Sequence, residues 1–283
     1  MMRGRKPRLI LAVKTLNRIS YLRQCLATWM STANTADFEW KIVVADDGST
    51  DGTLQYLETF SSAPLTLIRN RRRYAVGQFN SILEQIVGER YDVCFMSDDD
   101  VLFLCRGWEQ SYLRGIERSG HHHLCWFDRD YWHLAWPLRP LPDGRVDVTG
   151  TCAGSVRVQD CLGAFFTVTP QVVETVGYAD EVNFPVRGQW HVDYSMRCVR
   201  AGWNEAFPFY DAIDGHRMVS VQDLHRRRYT RSIPDDSPGF RCVARTETLT
   251  QRAEIMARPD RIYLPLQRVV QTRQDEGRPT AFR

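Results

Sequence analysis

Three consecutive carboxylates, Asp98, Asp99 and Asp100, follow an apolar run at residues 92–97. Packing does not explain such a run, because burying an unpaired charge is costly and neighbouring like charges repel one another. A divalent cation removes both difficulties, since hard oxygen ligands suit Mg²⁺ or Mn²⁺, which often share a site with substrate phosphates. A solvated acidic turn is the alternative, and these three residues alone do not decide between the two.

A second acidic turn begins with Asp46 and Asp47, at the end of an apolar run over residues 41–45. Glycines in the segment 48–53 allow a tight turn, and its Ser, Thr and Asp residues are typical of a helix start. Each acidic turn therefore stands directly after a run that resembles a buried strand.

Apolar runs and helical spacing alternate along the first hundred residues. Strands are predicted at 9–13, 41–45, 65–68 and 92–97, and helices at 18–30, 52–60 and 76–87. Alternation of this kind predicts right-handed βαβ units around a parallel sheet. Because ligands bind at the carboxyl ends of such strands, we expect both acidic turns to line one cleft.

The pattern after residue 120 is less regular. We predict a strand at 161–168 and helices at 170–176 and 193–201. Residues 121–160 mix His, Trp, Pro and Gly, which we interpret as an insertion or lid over the cleft. The three histidines that open it, residues 121–123, are predicted to lie in a polar loop.

Composition excludes several classes of protein. With 43% hydrophobic and 25% charged residues, the 283-residue chain is neither disordered nor collagen-like. Its net charge of +3 does not indicate nucleic-acid binding. No apolar run approaches the ~18–20 residues of a membrane-spanning helix, and the basic residues 1–8 lack the apolar stretch of a signal peptide. We therefore predict a soluble, cytoplasmic protein, whose eight scattered cysteines are reduced and buried.

Six segments, in order, resemble the GT-A fold glycosyltransferases of family 2, and most of all the spore-coat-polysaccharide type. They are the opening strand with its Thr-x-Asn-Arg turn (8–18), the acidic turn (43–53), a segment before the metal motif (70–80), the DxD metal motif (97–101), an acceptor-side strand, helix and Gly-x-x-Asp-Glu loop (163–181), and a helix (191–202). The segment 43–53 is the most specific. The resemblance implies an α/β fold, a single GT-A (Rossmann-like) domain with a mostly parallel central sheet. Its nucleotide half would span about 1–101 and its acceptor half about 102–225.

The resemblance also implies a site for a nucleotide-sugar donor. Thr15 and Asp47 would contact the base, with Asp47 accepting a hydrogen bond from the ring N–H of uracil or thymine. Arg73 would flank the base or the phosphates, and Arg18 would lie near the site or cap its own helix. Asp98, Asp99 and Asp100 would hold the ribose and the metal, with Asp98 and Asp100 as metal ligands.

A histidine downstream, His216, would supply a third metal ligand, with His225 as its alternate. The implied reaction is Mn²⁺- or Mg²⁺-dependent transfer of a sugar from a UDP- or dTDP-sugar to an acceptor hydroxyl.

The catalytic position departs from the family. Where family 2 has a Glu-Asp pair whose Asp is the general base, this chain has Trp190 and His191. Imidazole is a competent base near neutral pH, so His191 could deprotonate the acceptor. Asp193 could orient His191 or be the base itself; otherwise it only caps the next helix, and His191 only packs. We predict inverting transfer with one of these two as base, and Asp180 or Glu181 in their place if both fail.

Residues 226–283 form a basic extension, predicted to be partly helical, with 13 arginines against 7 acidic residues. A phosphate-rich acceptor site, a contact between copies of the chain or a solvated surface would each explain this charge, and we favour a solvated surface. Two other functions compete with transfer. The missing Glu-Asp pair would suit a non-catalytic nucleotide-sugar-binding protein, whereas a nucleotidyltransferase would need a glycine-rich loop, which residues 14–18 lack.

Overall fold

Five strands form the central sheet in the computed structural model, which describes residues 5–127, 152–156, 163–185, 189–205, 209–222, 240–242, 249–267 and 271–273. In chain order the elements are β1 (Arg8–Thr15), α1 (Ile19–Thr32), β2 (Glu39–Asp46), α2 (Thr53–Glu58), β3 (Leu65–Arg69), α3 (Tyr74–Ile86), β4 (Val93–Asp98), β5 (Val101–Phe103), α4 (Trp108–Ser119), β6 (Cys152–Val156), β7 (Phe165–Val168), α5 (Pro170–Val176), α6 (Trp190–Arg200), β8 (Phe209–Ala212), α7 (Gly215–Met218), β9 (Val219–Val221), β10 (Phe240–Cys242), α8 (Leu249–Ala257) and β11 (Gln271–Arg273). The sheet order is β3-β2-β1-β4-β7, in which the first four strands are parallel and β7 is antiparallel to β4. The prediction of an α/β fold with a mostly parallel sheet is confirmed.

Both faces of the sheet are buried, which is why its strands are continuous apolar runs rather than alternating ones. Along β1, Leu9, Leu11 and Val13 pack into one core and Ile10 and Ala12 into the other. Helices α1 and α4 cover the first face, and α3 and α6 cover the second. The two cores fix the strand ends from which the acidic turns project.

The predicted elements of the first half are all present, with boundaries that differ by a few residues. The larger difference is in the second half, where α6 begins at Trp190 instead of residue 193. His191 therefore lies in the first turn of α6, and Asp193 lies inside the helix and does not cap it. Most of the predicted lid, residues 128–151 and 157–160, falls outside the described residues.

Residues 249–267 pack against the second face of the sheet. Met256 is buried in that core, and the backbone of Leu264 forms hydrogen bonds with Val176 and Tyr178. This part of the extension therefore packs on the domain through Met256 and Leu264, while most of its other side chains are exposed or half-buried. In the described part of the chain, no helix is long and apolar enough to cross a membrane.

The cysteines whose side chains are described agree with the prediction of reduced thiols. Cys25, Cys94, Cys125 and Cys198 are buried thiols outside any disulfide, whereas the thiol of Cys105 is exposed, against the prediction of burial. Burial raises the pKa of the Cys25 and Cys94 thiols, which keeps them protonated and unreactive.

Candidate active site

The three carboxylates at the end of β4 contact two different cations of the chain. An Oδ1 atom of Asp98 lies 3.0 Å from Lys14 Nζ, on the face covered by α3 and α6. Asp99 and Asp100 face the start of α1, where the guanidinium of Arg18 approaches them at 3.2 and 3.0 Å. Each carboxylate is therefore already in contact with a cation of the chain.

The strand register produces this arrangement. Lys14 pairs with Asp98 across the parallel strands β1 and β4, and Thr15 pairs with Asp46 across β1 and β2. Paired residues of adjacent strands point to the same face, so Lys14 and Asp98 must meet. The Thr15 hydroxyl donates a hydrogen bond to Asp99 Oδ2 at 2.8 Å, which ties the end of β1 to the acidic turn.

Burial dominates the electrostatics of this turn. It raises the pKa of Asp99 to about 7, against the opposing effects of the Arg18 charge and the Thr15 hydrogen bond. The neighbouring carboxylate of Asp100 acts in the same direction as burial. The turn is thus a place where a further positive charge would be stabilised.

The donor chemistry of the turn fits a divalent cation that arrives with a phosphate ligand. Mg²⁺ and Mn²⁺ are commonly held by one or two carboxylates, with substrate phosphates and water completing the shell. Among the residues that the structure describes, no three His, Cys, Asp or Glu side chains converge as a complete metal-binding group. His216 lies in the short helix α7, partly buried, whereas His225 falls outside the described residues.

Asp47 holds the loop that precedes α3. Its carboxylate accepts hydrogen bonds from the backbone N–H groups of Arg73 and Tyr74, and from Arg72 Nη1 at 3.4 Å. Burial raises its pKa, and the two N–H groups and Arg72 partly offset this rise. Arg72 and Tyr74 both adopt positive φ, so the loop is held in a conformation that is uncommon for such residues.

The side chain of Arg73 points from the start of α3 toward the loop between α5 and α6. Its guanidinium contacts Glu181 Oε1 and Ser81 Oγ, both at 2.6 Å. In this arrangement the guanidinium of Arg73 is bound to other residues of the chain, and its predicted contact with a base or phosphate stays a prediction. Arg72, which the sequence analysis did not select, is the arginine beside Asp47.

His191 is held against the start of β7. A Cβ atom added to Gly163 would come within 2.5 Å of His191 Cγ, so the imidazole packs directly on a glycine of positive φ. The next residue, Ala164, accepts a hydrogen bond from the backbone N–H of Asp98. The partly exposed His191 therefore packs on a residue just before β7, the strand that is next to β4 and its acidic turn.

Asp193 lies in α6, two residues after His191, and its predicted role in orienting the imidazole or acting as base stays a prediction. Residues two positions apart point to different sides of a helix. Asp193 is fully buried and pairs with Arg197 at 3.0 Å and Arg261 at 2.9 Å. Arg261 also contacts Asp180, at 2.6 Å, so the fallback base Asp180 belongs to the same network.

We expect Asp193→Asn to lower the free energy of unfolding by about 3–5 kcal/mol, because it leaves two buried guanidinium groups short of negative charge. Urea denaturation followed by circular dichroism measures this change. Asp260→Asn is the matched control, since Asp260 is next to Arg261 but forms only an exposed pair with Arg258. Equal effects of the two substitutions would show that the buried network does not stabilise the fold.

The histidine run is only partly a polar loop. His123 is buried, with Nδ1 at 3.0 Å from the carbonyl oxygen of Thr167 and Nε2 at 2.9 Å from Ser195 Oγ. These hydrogen bonds tie the segment to β7 and α6. For His123 the prediction of a polar loop is therefore wrong.

Comparison with known proteins finds a match for part of this chain. Residues 11–104 match the sequence family described as Glycosyl transferase family 2. An uncharacterized glycosyltransferase of Acanthamoeba polyphaga mimivirus is 23% identical over 183 residues, which are 65% of this chain and 67% of that protein. The spore-coat-polysaccharide type is not specified by these matches.

Two solved structures have a similar fold. One is a mannosyltransferase of Pyrobaculum calidifontis in complex with GDP-Man and Mn²⁺, with a TM-score of 0.55 and 17% identity over 72% of this chain and 55% of that chain. The other is S. aureus TarS 1–349 in complex with UDP, with a TM-score of 0.50 and 16% identity over 68% of this chain and 55% of that chain. The chain thus spans a little over half the length of each, and shares with them the GT-A fold.

Proposed function

We propose that this chain, whose residues 11–104 match family 2 glycosyltransferases, moves a sugar from a UDP- or dTDP-sugar to an acceptor hydroxyl. The observation that carries the proposal is the acidic turn at the end of β4, next to the strand on which His191 packs. The GDP-Man and Mn²⁺ of one similar structure and the UDP of the other support a nucleotide-sugar donor and a metal.

Asp98 and Asp100 would hold Mn²⁺ or Mg²⁺, with donor phosphates and water completing the shell, since the described residues bring no third such ligand, His216 included, to this pair. When bound, such an ion neutralises the negative charge that develops on the departing diphosphate. Asp99 would hold the ribose and Thr15 would contact the base, and the hydrogen bond between their side chains keeps these two positions together. Arg18, which contacts both Asp99 and Asp100, would keep this pair of carboxylates in place.

His191 would be the general base. Its imidazole sits in the first turn of α6 and is partly exposed, so it can accept a proton from an acceptor hydroxyl that enters beside β7. Direct attack of that hydroxyl on the sugar displaces the diphosphate and inverts the anomeric centre. Glu181 is less suited, because Arg73 and Asn80 occupy its carboxylate.

The base selectivity of the site depends on Asp47 in this proposal. An ionised carboxylate has about four acceptor positions, and three donors contact that of Asp47. The contact with Arg72 is the longest, so it is the one that a base N–H would replace. We expect UDP or dTDP to bind more tightly than CDP by about tenfold or more, because the unprotonated ring nitrogen of cytosine cannot donate to the carboxylate and would instead face it as a second acceptor.

Calorimetry with UDP, dTDP, CDP and GDP in the presence of Mn²⁺ measures this preference. Asp47→Asn should reduce it, since an amide can donate to the ring nitrogen of cytosine as well as accept from uracil. Equal binding of CDP and UDP by the unmodified protein would refute the role of Asp47. Tighter binding of GDP would refute the UDP or dTDP assignment and leave the transferase itself standing.

The proposed function as a whole is tested by a donor-hydrolysis screen. The protein is incubated with a panel of nucleotide sugars and Mn²⁺, and nucleotide release is measured with and without EDTA. Release from one class of donor supports the transferase. Tight binding of a donor without release under any condition would favour a non-catalytic nucleotide-sugar-binding protein.

A further inference from the structure

Lys14 is an unexpected residue at the end of a buried strand. It is one of three lysines in the chain, and its side chain is only 5% exposed. Burying an ammonium group is costly unless it is paired. The strand register supplies the pair, because Asp98 lies opposite Lys14 and its Oδ1 is 3.0 Å from Nζ.

A second contact holds the ammonium group from the other side. Lys14 Nζ lies 4.8 Å from the centre of the ring of Trp190, which is the residue directly before His191. Cation–π contacts of this kind are strongest where water is excluded. Lys14 is therefore fixed between the acidic turn and the first residue of α6.

Arg18 makes the equivalent arrangement with the other two carboxylates. Its guanidinium contacts Asp99 and Asp100, and lies 4.3 Å from the ring of Tyr21. In the described part of the chain, two cations thus contact the three carboxylates, which leaves them little net negative charge. So small a charge attracts a free divalent ion weakly, whereas an ion that arrives with a diphosphate brings its own oxygen ligands.

We propose that Lys14 is an internal counter-ion of the donor site, which holds Asp98 in the free protein and restricts divalent-cation binding to the moment when the donor diphosphate is present. The part that concerns the donor rests on the proposed function. The part that concerns the free protein does not, and it can be measured separately.

The test is a Mn²⁺ titration of the nucleotide-free protein, followed by electron paramagnetic resonance. Lys14→Met removes one positive charge a few ångströms from the ion and keeps a side chain of similar length. We expect Mn²⁺ to bind about tenfold more tightly than to the unmodified protein, from the lost repulsion. Lys14→Arg keeps the charge and should bind Mn²⁺ as the unmodified protein does.

Donor turnover should move in the opposite direction. Lys14→Met removes a cation near the diphosphate and loosens the Trp190 contact, so nucleotide release should fall although Mn²⁺ binding improves. General damage to the structure would lower both quantities. The opposed changes therefore distinguish a counter-ion from a residue that only stabilises the fold.

Three outcomes would overturn the inference. One is Mn²⁺ affinity in Lys14→Met that equals or falls below that of the unmodified protein, with its circular dichroism spectrum intact. Another is a gain that persists in Lys14→Met/Asp98→Asn, which would place the ion away from Asp98. If Lys14→Met does not fold, Lys14→Gln makes the same charge change and keeps a hydrogen-bond donor for Asp98, and no gain in Mn²⁺ affinity there would equally refute it.

If the unmodified protein releases nucleotide from no donor, the proposed function fails. The Mn²⁺ titrations still decide whether Lys14 is the counter-ion of Asp98.

Discussion

Asp100→Asn is expected to abolish the Mn²⁺-dependent part of donor binding, lowering the affinity for UDP at least about a hundredfold. Loss of an outer partner of a metal site already costs about 10–100-fold, and loss of a ligand should cost more. The amide keeps the shape of the carboxylate but removes the charge that faces Arg18 and the metal. Calorimetric titration of UDP, with Mn²⁺ and with EDTA, measures the effect.

The fold of this variant needs its own control, because Asp100 is fully buried and paired with Arg18. A circular dichroism spectrum of the variant provides it, and Asp98→Asn tests the second proposed ligand at a side chain that is 21% exposed. Both variants should lose Mn²⁺-dependent binding. Glu174→Gln makes the same charge change on an exposed helix and should bind UDP normally. If Asp98→Asn and Asp100→Asn both fold and both bind UDP with Mn²⁺ as the unmodified protein does, the metal site lies elsewhere.

The strands and helices of the first hundred residues could be predicted because the sequence patterns that specify them are local. A strand buried on both faces is a continuous apolar run, as in β1, β2 and β4, and each run ends at the residue where the chain must turn. Since parallel strands present their carboxyl ends at one edge, the convergence of the two acidic turns follows from the same pattern.

The sequence says least about the contacts between side chains that are far apart along the chain. Asp193 has the position of a helix cap in the sequence, yet Arg261, which is 68 residues away along the chain, draws it into a buried ion pair. Arg73 likewise turns toward Glu181, 108 residues away. Neither partner can be read from local spacing. Lys14 could have been noticed, because a lysine that ends an apolar strand needs an acidic neighbour in register.

The C-terminal segment shows how these distant contacts serve the site. Arg261 joins Asp180 to Asp193, and so links the loop before α6 to the helix itself. The next residue, Glu181, forms an ion pair with the side chain of Arg73. The backbone N–H of Arg73 in turn donates to Asp47, so Glu181 also stabilises the loop before α3. Residues 249–267 therefore support both α6 and the loop before α3.

His191→Ala is expected to lower the turnover number by about 10²–10⁴-fold, the range for loss of a positioned general base. Donor affinity should change little, because His191 lies beside β7 and has no assigned contact with the nucleotide. Steady-state transfer kinetics with a fixed acceptor, together with UDP calorimetry, separate the two effects. Gly163→Ala is the companion variant, since its added methyl group would displace the imidazole without removing it.

The pH dependence identifies the group that titrates. An imidazole with an ordinary pKa near 6.5 is the active base when neutral, so the rate should fall as the pH decreases through about 6–7. Burial raises the pKa of Asp99 to about 7, so this carboxyl titrates in the same window. The ratio of the unmodified rate to the His191→Ala rate, measured at each pH, cancels the Asp99 contribution. We expect this ratio to approach 1 at low pH and to rise through the imidazole pKa. A ratio that is independent of pH would mean that His191 only packs against Gly163, and that another group takes the acceptor proton.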